Sequence, residues 1–77
     1  MGKPRNFTAK PIFGGIWIVI AEGSQHARSF HTTKLEAWYE AKRLARGANC
    51  EAILKDKNGD IVANNYYGHN FMLMGDR

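Results

Sequence analysis

The spacing of hydrophobic and polar residues divides the chain into short strands around one helix. Residues 32–47, TTKLEAWYEAKRLARG, repeat with helical period. Turning about 100° per residue gathers Ala37, Trp38, Ala41, Leu44, Ala45 and Ala48 on one side. A face made mostly of alanine lets a helix lie close on a sheet, with Trp38 and Leu44 filling its margins. Thr33 followed by Glu36 fits a capping box, and Gly47 fits the left-handed position that ends many helices. Glu36 and Glu40 near the start, with Lys42, Arg43 and Arg46 near the end, complement the helix dipole.

Residues 16–21, IWIVIA, alternate between two apolar faces: Ile16, Ile18 and Ile20 on one, Trp17, Val19 and Ala21 on the other. A strand apolar on both sides is a central strand with both sides covered. One helix covers only one side, so the other needs the N-terminal segment, the C-terminal tail or a second subunit. A Gly-containing turn at 22–25 leads to a more polar strand at 26–32, anchored by Phe30. After the helix, strands at 50–55 and 61–64 flank DKNGD, whose Asn58-Gly59 pair readily supplies positive φ for a hairpin.

The expected fold is therefore α+β, ββαββ: an antiparallel four-stranded sheet with one helix packed across one face. Residues 1–15, with three bases, two prolines and a Gly-Gly pair, read as a flexible basic arm. Residues 16–68 make the single domain. Residues 69–77 form an apolar tail whose Phe71, Met72, Leu73 and Met74 call for packing or a partner.

Composition adds bounds rather than a function. A chain of 77 residues buries only about 60% of its unfolded surface, which leaves a thin core. No apolar run approaches a membrane span, and the opening residues lack the apolar core of a signal peptide. With Cys50 the only cysteine, a cytoplasmic location is expected. Eleven Lys and Arg against seven Asp and Glu give a net charge of +4, compatible with nucleic acid or an acidic protein partner.

Candidate chemistry is sparse. No Gly-rich phosphate loop, HExxH or CxxC is present. His26, His31 and His69 are too scattered for a metal set. Cys50, opening a strand, reads as a small buried group rather than a nucleophile. Asp56 and Asp60 bracket a turn, Glu36 caps the helix and Glu40 sits between basic residues, and a thin sheet offers little room for the convergent pair an enzyme needs.

What remains are two binding surfaces. One is basic and aromatic: the helix flank of Tyr39, Lys42, Arg43 and Arg46, joined by Arg28, Lys55 and Lys57. The other is an oligomer or partner interface drawn from Trp17, Val19, Phe71, Met72 and Leu73. The expectation is a small non-enzymatic module that binds nucleic acid through the basic flank and the sheet face. The alternative is a protein-interaction module, of the kind a phage uses to modulate a host protein, acting through the open sheet face and tail. A homodimer fits either; no cofactor, metal, small-molecule substrate or membrane partner is expected.

Particular residues also carry a family likeness. Trp17 and Val19 form a W-x-V, followed by the Glu22-Gly23 turn, Thr33 as a cap and the Glu36-Ala37 pair. Lys42-Arg43-Leu44-Ala45-Arg46, Asn58-Gly59-Asp60-Ile61 and Tyr67-Gly68 complete the set. The run from Trp17 through Gly68 thus resembles the small bacterial and phage domains grouped as domain of unknown function 2188. Asn58-Gly59 stands where that pattern tends to Asp-Gly, and the arm is longer and the tail more apolar. The resemblance implies the ββαββ fold and a bacterial or phage origin, and it transfers no catalytic residue.

Overall fold

A computed structural model describes residues 5–68. The elements in chain order are β1 (Phe7–Pro11), a 3₁₀ turn (Phe13–Gly15), β2 (Trp17–Ala21), β3 (Ser29–His31), α1 (Lys34–Ala48), β4 (Glu51–Lys55) and β5 (Ile61–Tyr66). One sheet runs in the order β3-β2-β1-β4-β5. The α+β class and the single helix match expectation, but the sheet has five strands, not four, and is mixed, not antiparallel. β1 pairs antiparallel with β2 and parallel with β4.

The added strand comes from the segment read as an arm, and it lies at the centre of the sheet. Phe7 and Ala9 are buried against the helix while Thr8 and Lys10 point to the other face. Its alternation is ordinary for a strand. Lys10 and Pro11 mask it in the sequence, and Pro11 is tolerated because it falls at the strand's end. Two further contacts tie this segment to β4: the Glu51 amide donates to Asn6 Oδ1 at 3.1 Å, and the Cys50 thiol to the Arg5 carbonyl at 2.8 Å.

The helix packs as the alanine face requires. Ala37, Ala41 and Ala45 have no exposed surface, and they meet Ala9, Val19 and Ala52, which have none either. Small side chains on both surfaces bring helix and sheet into close contact, and Trp38, Leu44 and Trp17 close the margins. At the start of α1, Thr33 Oγ1 accepts from the Glu36 amide at 3.1 Å, which satisfies one of the unpaired first-turn donors.

The helix end differs from expectation. Gly47 stays helical, and Asn49 takes the left-handed turn at φ 56° and ψ 48°. Asn tolerates that conformation better than most residues, and the Cys50 amide then donates to the Ala45 carbonyl at 3.0 Å.

β2 separates its two faces as its alternation demands. Val19 and Ala21 join the core under α1, while Ile16, Ile18 and Ile20 point to the uncovered face. Partners on that face come from Phe30, Thr8, Lys10 and Ile53, by register with Ile18 and Ile20 across the sheet. The second strand is shorter than expected, Ser29–His31 in place of 26–32. Ser24 and His26 instead hold a turn through the Ser24 hydroxyl.

At the β4–β5 turn, Asp56 Oδ1 accepts from the amides of Asn58 at 2.9 Å and Asp60 at 3.0 Å. Gly59 supplies the positive φ of 86°. A register shift between Leu54 and Lys55 follows at the base of this hairpin. The expected apolar tail, with Phe71, Met72 and Leu73, lies outside the described residues.

Candidate nucleic-acid interface

Strand direction brings one set of side chains together at one end of the sheet. β1 and β4 run parallel, so both finish there. β2 runs against β1 and therefore starts there, as does α1. The result is a cleft of about 490 Å³ lined by Pro11, Trp17, Lys34, Lys55, Asp56, Lys57, Asn58 and Val62. Trp17 packs by part of its ring on the core and is half-buried, so its position is set by the fold. Three lysines line the same cleft, from the first turn of the helix, the end of β4 and the hairpin turn. Among the described residues none of the three forms an ion pair. Asp56, the one acid of the cleft, has an oxygen committed to the amides of its own turn.

Lys55 also lines a second, smaller depression of about 310 Å³ on the uncovered sheet face, with Thr8, Lys10, Ile20, Ile53 and the acid Glu22. Lys10 and Lys55 stand over an isoleucine floor, and long lysine stems suit such a floor. Lysines 10, 55, 57 and 34 thus form one band that passes from the open face around the end of the sheet into the cleft. Beyond the cleft, at the tip of the β1–β2 loop, Phe13 is 87% exposed.

The helix flank expected to be the main basic surface is divided. Arg43 donates to Glu40 through both Nε, at 2.9 Å, and Nη2, at 2.6 Å. This bidentate pair holds the Glu40 carboxyl below its ordinary range, chiefly through the hydrogen bond, with the charges of Arg43, His31 and Arg28 adding to it. The same bond raises Arg43. Lys42 lies over the Trp38 ring, 5.1 Å from its centroid. Tyr39 and Leu35 are exposed, but the shallow surface they line is shared with His31, Glu36 and Glu40. Arg46 is exposed at the helix end.

Arg28 stacks 5.5 Å over the Phe7 ring, at the opposite end of the sheet from Trp17. Of the basic set read from sequence, only Lys55 and Lys57 meet in one place. Trp17, expected at an interface, belongs with them. Val19 is completely buried beneath the helix and so offers no surface to a partner.

Sequence reasoning missed Lys34 and Lys10. Lys34 follows the helix cap, which places it at the helix start. Lys10 needed β1 to be recognised as a strand. Cys50 is buried, and burial pushes its thiol up from the usual value. Among the described residues no group of three or more His, Cys, Asp or Glu is placed to hold a metal, and no helix is long and apolar enough to cross a membrane.

Comparison with known proteins gives one finding. The chain belongs to the family called domain of unknown function 2188, described as an uncharacterised protein conserved in bacteria, whose profile matches residues 11–67. No curated protein and no solved structure gives a significant match. The matched span begins at the last residue of β1.

Proposed function

We propose that this protein is a small non-enzymatic, cytoplasmic module that binds nucleic acid through the lysine band at the helix-start end of its sheet. The observation that carries this reading is the convergence of Lys34, Lys55 and Lys57 around Trp17. Phosphates attract such a cluster, and the release of condensed counterions on contact drives association. The +4 net charge acts in the same direction at long range. Lys10 extends the basic surface onto the open face.

An electrophoretic mobility-shift titration across salt tests the reading. The wild-type chain should shift nucleic acid at low salt and lose affinity steeply as salt rises. Absence of any shift at low salt removes the proposal.

A second reading rests on the uncovered sheet face, where Phe30 is 67% exposed across from the buried Ile18. An apolar patch of this kind fits a protein partner or a second copy of the chain. Sedimentation that returns a strictly monomeric mass, with no partner captured, counts against it.

A further inference from the structure

We infer that the ligand of the lysine cleft is a single strand, with one base lodged against Trp17 and the neighbouring base on Phe13. This rests on the nucleic-acid reading above and narrows it. In a duplex the bases are paired and stacked, so a protein aromatic reaches a base face only if the helix is opened. A single strand presents free base faces, and aromatic platforms beside cations are how such strands are held. Here the aromatic group sits within a cleft and not on a ridge.

The volume of about 490 Å³ falls in the range of sites that enclose small organic ligands, which is room for one nucleotide unit and its phosphate. Trp17 is fixed by core packing, so little side-chain freedom is lost when a base settles on it. Lys34, Lys55 and Lys57 line the same cleft and are the groups there that would meet the flanking phosphates.

Two features extend the path. Phe13 is 87% exposed on a loop whose Gly14 and Gly15 both have positive φ, and this loop joins β1 to β2 at the Trp17 end. A phenylalanine held out in water at that place is otherwise unexplained by the fold. In the other direction, Lys10 and Lys55 over Ile20 and Ile53 continue the cationic track along the open face. Asn58, whose side-chain amide can both donate and accept, is the group at the cleft suited to the edge of the lodged base. With only two platforms and one amide, sequence preference is expected to be weak.

The experiment uses the unaltered chain, labelled with nitrogen-15, so that the indole signals of Trp17 and Trp38 report separately. An eight-residue thymidine strand, a duplex of the same length and thymidine monophosphate are titrated at equal salt. Expected are a shift of the Trp17 indole with the single strand, little change at Trp38, and affinity for the strand about tenfold above that for the duplex. Phe13→Ala, at a side chain outside the core, should weaken strand binding about fivefold without changing the thermal midpoint.

Equal or tighter duplex binding, or strand binding that leaves the Trp17 signal in place, overturns this inference while the nucleic-acid reading stands. Thymidine monophosphate binding as tightly as the strand also overturns it, in favour of a free nucleotide. No binding to any of the three at low salt removes both.

Discussion

On the helix flank, Arg43 turns to Glu40 and Lys42 lies over Trp38, whereas at the sheet end Lys34, Lys55 and Lys57 line one cleft with Trp17 and form no ion pair with its one acid, Asp56. The residue types are the same, basic groups beside aromatic rings. Their different use follows from backbone geometry. Along a helix, partners three and four residues apart are adjacent, so a mixed stretch such as Glu40 to Arg46 satisfies much of its own charge. At the end of a sheet, side chains from distant segments meet, and here three lysines share a single carboxylate, Asp56. Charge density along a sequence therefore overstates a helix flank and understates a strand-end cluster.

Reversing the charge of the cluster separates the two regions most sharply. Lys34→Glu with Lys55→Glu and Lys57→Glu should lower nucleic-acid affinity by more than about a hundredfold. Losing three cations should flatten the salt dependence by about two units of logarithmic slope for a single strand. Filter binding across salt measures both. Lys42→Glu with Arg46→Glu changes net charge by four units, against six for the triple variant, since each reversal removes one positive and adds one negative. It should cost only about tenfold, mostly by the long-range field. Equal loss from the two variants would return the helix flank to first place.

Glu40→Gln frees Arg43 and raises the net charge by one. If the flank were the site, affinity should rise several-fold; with the cleft as the site, it should change by less than about twofold. The same variant gives the smallest effect, on stability. The Glu40 carboxyl is lowered in the folded state, so its contribution is fully present above the unfolded value of about 4.3. It is lost as pH falls through the lower folded value. Thermal midpoints of wild type and Glu40→Gln should differ slightly at pH 6 and draw together as the carboxyl is protonated on acidification. A gap that widened on acidification would contradict the pairing.

How much could be read from the sequence depended on whether the signal was local. The helix, its threonine cap, its alanine face and both turn positions followed from residues close together, and each stands in the fold. The central strand did not follow. FTAKP has one large apolar residue, a lysine and a proline, and its burial comes from partners far along the chain. The family match begins at Pro11, so the likeness recognised in the sequence also stopped short of β1.

The helix end was misplaced by two residues because Gly47 offered an easy stop, while Asn49 meets the requirement of the chain turning into β4. At the site, Lys55 and Lys57 were among the residues singled out. Their meeting with Lys34 and Trp17 depends on the parallel pairing of β1 and β4, for which no short-range pattern exists.

That parallel pairing also sets an order for folding. β1 and β2 form a hairpin from residues close together in the chain, and α1 can wind from local bonds alone. The other edge of β1 must wait for β4, where Glu51 and the preceding Cys50 meet Asn6 and Arg5 across a separation of 45 residues. Until then the middle strand of the finished sheet is an open edge, able to pair with any extended segment nearby. The chain thus spends its most vulnerable interval with its future centre exposed, and the long-range closure that ends it is the step expected to limit the folding rate.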